Sequence, residues 1–80
     1  MIDFERGDIV VMETHTPPLP DHFVIWRLAD VSDPTQLRAD IIGNDVDRSA
    51  ALKEAVAASR GKRVFWYSRE KDTFFEHHYT

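Results

Sequence analysis

Asp47-Arg48-Ser49-Ala50-Ala51-Leu52-Lys53-Glu54-Ala55-Val56-Ala57-Ala58-Ser59-Arg60-Gly61 is the stretch on which the fold turns. Asp47 offers a carboxylate to the free N–H groups of a first helical turn, and Gly61 supplies the left-handed residue that commonly follows a last one. The pattern predicts a helix from about Arg48 to Arg60. At about 100° per residue, Ala51, Leu52, Ala55, Val56 and Ser59 fall on one side, and Lys53, Glu54 and Ala57 on the other. A buried face that is mostly alanine lets a helix lie close against a sheet while adding little apolar bulk.

Strands read outward from this helix in both directions. Lys62 to Ser68 and Thr73 to Tyr79 are aromatic-rich segments joined by Arg69-Glu70-Lys71-Asp72, four charged residues suited to a solvated hairpin turn. Before the helix, Leu37 to Ile42 forms a strand ending at Gly43-Asn44, and Ser32 to Gln36 is turn chemistry. His22 to Val31 is the longest strand, with Val24, Trp26 and Leu28 on one side and Phe23, Ile25 and Arg27 on the other. Apolar residues on both of its faces mark it as the expected central strand. His15 to Asp21 carries Pro17, Pro18 and Pro20 and takes an extended loop path. Asp8 to Thr14 has a β-branched centre without clean alternation, so residues 1–14 are expected as a strand or as an arm that packs elsewhere. The fold class that follows is α+β: a small antiparallel sheet in the order β-β-β-α-β-β with one Ala-rich helix packed on one face.

The 80 residues suit a single domain, 1–80, and a chain of that length buries only about 60 to 65 % of the surface its unfolded form exposes. With no cysteine, neither disulfides nor thiolate metal sites supplement the core, which rests on apolar packing or on a partner subunit. Acidic residues at Asp3 and Glu5 stand where an export signal needs bases, and the longest strongly apolar runs, such as Phe23 to Trp26, are four residues long. A membrane span needs roughly 18, so no membrane association and a cytoplasmic location are the expectation. The net charge of −4 argues against a general nucleic-acid binder. Residues 1–46 hold three bases against nine acids and residues 47–80 seven against five, so the halves attract one another within or between chains.

Asp45-Val46-Asp47-Arg48-Ser49 resembles the DxDx(T/V) signature of the haloacid dehalogenase phosphatases over five residues, with Ser in the last place and without the large doubly wound domain of that family. The same spacing begins like a calcium loop, but Ala50 stands where the sixth-position Gly is needed and Val56 where a bidentate Glu is needed. Acids before a helix are expected from capping alone. Of the four histidines, His77 and His78 are neighbours on a strand and point to opposite faces, so a metal site needs His15 or His22 to approach one of them, or a second chain. Gly7, Gly43 and Gly61 stand apart, leaving no phosphate-cradling loop, and no serine sits in a glycine-bracketed turn. No catalytic residue, cofactor or metal ligand is expected.

Arg60 to Tyr67 interleaves bases with aromatics and resembles the RNP1 strand of RNA-recognition domains, whose aromatics stack bases. That resemblance implies single-stranded nucleic-acid contact through Lys62, Arg63 and Trp66 with Phe65 and Tyr67. Lys62 and Val64 replace the family's two aromatics, and the first helix of its β-α-β-β-α-β order is missing. Thr16 to Pro20 resembles the Pro-Pro-Leu-Pro ligands of WW domains, but a stiff loop that lowers unfolded-state entropy is the expected reading.

Aromatics also fall on both faces of the last hairpin, where a half-solvated sheet alternates. The face away from the helix, expected to carry Phe65, Tyr67, Phe75 and Tyr79, forms an apolar patch that either residues 1–14 or a second subunit covers. The expected function is a non-catalytic interaction module that self-associates as a homodimer through that face, an unidentified protein partner being compatible with the same patch. Single-stranded nucleic-acid binding is one alternative. A small-molecule or metal site at a dimer seam is the other.

Overall fold

The computed structural model describes residues 3–15, 17–18, 20–33 and 35–78. Its elements are β1 (Ile9–Thr14), β2 (His22–Asp30), β3 (Arg38–Asp45), α1 (Arg48–Ser59), β4 (Val64–Ser68) and β5 (Thr73–Glu76). They form one five-stranded sheet in the order β3-β2-β1-β4-β5, with α1 packed on one face. The element order and the α+β class match the sequence. Among the described residues, no helix is long and apolar enough to cross a membrane.

Two features of the sheet correct the sequence reading. β1 pairs parallel with β4, Ile9 opposite Val64 and Val11 opposite Trp66, so the sheet is mixed and mostly antiparallel. A parallel pair needs a crossover, which β2, β3 and α1 supply together. Residues 9–14 are therefore no arm: β1 is the central strand, and β2 lies beside it. The physical reason is visible in Ile9-Val10-Val11, buried on both faces of the sheet, where alternation would have marked a half-solvated strand.

The helix begins and ends by side-chain and backbone chemistry. Asp47 has extended backbone, and its Oδ2 accepts from the Ala50 N–H at 3.2 Å. At the other end Arg60 (φ 53°) and Gly61 (φ 86°) are both left-handed, so the helix stops one residue earlier than expected. Lys62 N–H donates to the Ser59 carbonyl at 3.0 Å and closes the turn.

Ala51 and Ala55 are fully buried, and between them and the sheet lie Ile9, Val11, Ile25 and Val64. Leu52, Val56, Phe23, Ile42 and Trp66 border this layer, so small helix residues do bring α1 close. Arg27, also on this face, donates from Nη2 to the Ala58 carbonyl at 3.0 Å and ties β2 to the end of the helix.

Candidate functional site

Alternation along the strands sends every second side chain to the face that α1 does not cover. There lie Val10 and Met12 of β1, Val24, Trp26 and Leu28 of β2, Ala39 and Ile41 of β3, Phe65 and Tyr67 of β4 and Phe74 of β5. An extra residue, Ile42, separates the partners of Trp26 and Ile25 in the β2–β3 pair. That bulge turns Ile42 to the helix side and leaves Ile41 on the uncovered face.

The expected aromatic patch is rearranged. Phe65 and Tyr67 share the uncovered face, but Phe75 lies opposite Trp66 and stacks on it at 5.0 Å on the helix side. Phe74, opposite Tyr67, takes the place expected of Phe75. The correction follows from period two: one step of register exchanges the faces. Tyr79 lies outside the described residues.

Part of the patch is covered from within the chain. Phe4 sets its ring edge-on to Phe65 at 5.1 Å and to Phe74 at 5.5 Å, and Phe65 is buried as a result. The turn that carries Phe4 is held by Asp8, which is fully buried. Asp8 accepts from Glu5 N–H at 2.8 Å and from Arg63 Nη2 at 2.7 Å, while its own N–H donates to the Glu5 carbonyl at 3.0 Å. Arg63 donates to the Asp3 carbonyl as well, and the Asp8 hydrogen bond pushes the already high pKa of its guanidinium higher.

What Phe4 leaves open is a groove of about 170 Å³ lined by Phe4, Val10, Met12, Trp26, Leu28, Leu37, Ala39 and Phe74. At its border Leu37 is 41 % exposed and Ile41 59 % exposed. Neither Leu37, just before β3, nor Ile41 was singled out in the sequence as an exposed apolar residue; the bulge at Ile42 keeps Ile41 on this face.

The residues of the nucleic-acid alternative are dispersed. Lys62 is exposed before β4, Arg63 is engaged by Asp8, and Trp66 points to the helix side, where the Arg48 guanidinium lies 4.1 Å over its ring. Phe65 and Tyr67 point the other way. A single strand tracking β4 therefore meets its aromatics on two faces.

Of the histidines, His22 sets Nδ1 3.1 Å from the Pro20 carbonyl, and His78 lies 3.6 Å from Glu76. Among the described residues, the grouping of three that could hold a metal ion contains His15 and no other histidine. His15 lies 2.7 Å from Asp21 through Nδ1 and 3.6 Å from Glu13 through Nε2, and the Arg69 side chain contacts that same Nε2. Glu13, His15 and Asp21 offer ligand atoms within 4.8 Å of one another, a grouping of one imidazole with two carboxylates that the histidine spacing does not reveal. Arg69 already brings a positive charge to it, so the cluster ties the proline-rich loop to the β4–β5 turn. Asp45 and Asp47 serve as turn and cap: Asp45 Oδ1 accepts from Asp47 N–H at 3.1 Å, ahead of the bond to Ala50.

Comparison of the chain with protein-family models, with curated proteins and with solved structures finds no match in any of the three.

Proposed function

We propose that the chain is a non-catalytic interaction module that self-associates through the uncovered face of its sheet, the occupant of that face being a second copy. The observation that carries this is the juxtaposition of a protruding Ile41 with an apolar groove on one surface: Ile41 is the partner of Trp26, and Trp26 lines the groove. A projection and a recess on the same face are self-complementary, and a two-fold axis uses each of them twice. The groove's volume of about 170 Å³ leaves room for an apolar group of about the size of benzene. Phe4 shields one end of the face, leaving the β2–β3 end to a partner.

The size of the chain supports the same reading, since a domain this small gains most from burying further apolar area against a subunit. Burial of this kind survives salt, whereas phosphate contacts do not. Light scattering at low and high salt is expected to give a dimer mass in both, and Ile41→Asp a folded monomer by circular dichroism. A wild-type monomer at micromolar concentration overturns the proposal. If that monomer binds single-stranded oligonucleotides with affinity falling steeply in salt, the nucleic-acid alternative replaces it.

A further inference from the structure

The helix does not cover the whole of its face of the sheet. α1 packs over β1, β2 and β3, touches β4 lightly, and leaves the helix side of β5 clear. Beside it opens a groove of about 460 Å³ lined by Ser49, Leu52, Lys53, Val56, Ala57 and His77. Positions 49, 52, 53, 56 and 57 form one stripe along the helix, and His77 is held opposite by its N–H bond to the Val64 carbonyl at 2.7 Å. The volume lies in the range of small-molecule sites, and so does the lining, mostly apolar with a few polar groups converging on it.

Charge selects the ligand. Among the described residues no carboxylate lines the groove, and Lys53 is its cationic group. Nearby, Arg48 lies over Trp66 at 4.1 Å, Trp66 stacks on Phe75 at 5.0 Å, and Lys71 lies 5.5 Å from the Phe75 ring. Among the described residues the ion pairs are His15 with Glu13 and Asp21, Arg63 with Asp8, and His78 with Glu76, so Arg48, Lys53 and Lys71 carry their charge without a carboxylate partner. Lys53 thus stands in the lining of the apolar trough, with Arg48 over Trp66 and Lys71 over Phe75 on the same side of the sheet.

We infer that the groove between α1 and the β4–β5 hairpin binds a small organic anion with an apolar body. The body lies against Leu52, Val56 and Ala57, and the anionic head meets the Lys53 ammonium, with the Ser49 hydroxyl as a neutral donor. The site lies on the opposite side of the sheet from the self-association surface and does not depend on it.

Octanoate is a suitable probe, with octan-1-ol as its uncharged counterpart and inorganic phosphate as the head without a body. In amide NMR titrations of the full chain, octanoate is expected to shift Ser49, Lys53, Ala57 and His77, while octanol and phosphate bind at least fivefold more weakly. Lys53→Gln is expected to bring octanoate to the level of octanol, and Ala57→Trp to fill the groove and abolish the shifts. Ile41→Asp, on the other face, is expected to leave them unchanged even where it separates a dimer. Equal binding of octanol and octanoate, shifts confined to Val10, Met12 and Trp26, or no shift at millimolar octanoate each overturns the inference.

Discussion

The Arg63 guanidinium donates to the Asp8 carboxylate at 2.7 Å across 55 residues of sequence, and this contact fixes the turn that lays Phe4 over Phe65 and Phe74. Asp8 is fully buried, whereas about a third of the Arg63 side chain meets solvent. The pair therefore holds one end of the uncovered face closed.

Asp8→Asn preserves the shape and an acceptor for Glu5 N–H but removes the charge facing Arg63. A loss of roughly 1 to 3 kcal/mol in urea unfolding is expected, from the charge-assisted bond. Combined with Arg63→Met, the loss should be smaller than the sum of the two single effects. Additive losses would show that the pair is not coupled.

Ala55 is fully buried under the helix, against the layer of Ile9, Val11, Ile25 and Val64. Ala55→Leu is expected to overpack this contact and cost about 1 to 3 kcal/mol by denaturant titration. An unchanged midpoint would mean that α1 does not press on the sheet.

Tyr67 donates its hydroxyl to Asp72, and that bond, then partial desolvation and the nearby charge, push the phenol above its ordinary value. Because the folded pKa is raised, the stabilisation is complete below the unfolded pKa of about 10 and is lost as pH rises through the folded value. In a Tyr79→Phe background, ultraviolet titration is expected to place Tyr67 above free tyrosine, and Asp72→Asn to bring it back down. A midpoint insensitive to Asp72→Asn would remove the carboxylate as the cause.

His15 has Asp21 at one ring nitrogen and Glu13 with Arg69 at the other. Zinc or nickel at stoichiometric concentration is expected to leave Tm unchanged, since a metal has to displace the Arg69 contact. A rise of several degrees would assign the cluster as a metal site.

The helix was legible because its signals are local: Asp47 caps it, and the alanines mark its buried face. The strands of β2, β4 and β5 were legible from β-branched and aromatic runs between turn residues. The parallel β1–β4 pair and the Asp8–Arg63 contact were not, because each joins residues about fifty-five positions apart. No local pattern reports such a pairing. The placement of Phe75 was legible in principle. The four-residue turn from Arg69 to Asp72 sets Ser68 opposite Thr73, and counting back from that pair puts Phe74 beside Tyr67 and Phe75 beside Trp66.

The central position of β1 has a consequence for synthesis and folding. Its second neighbour is Val64–Trp66, so until that segment has been made, the Ile9–Val11 side of β1 is an open edge of apolar residues. The β1–β4 seam, which joins residues 55 positions apart, forms only after a long loop has closed, so it is expected to be slower to form than the β1–β2, β2–β3 and β4–β5 hairpins. Nascent chains halted before Val64 are then the species most exposed to strand-to-strand aggregation.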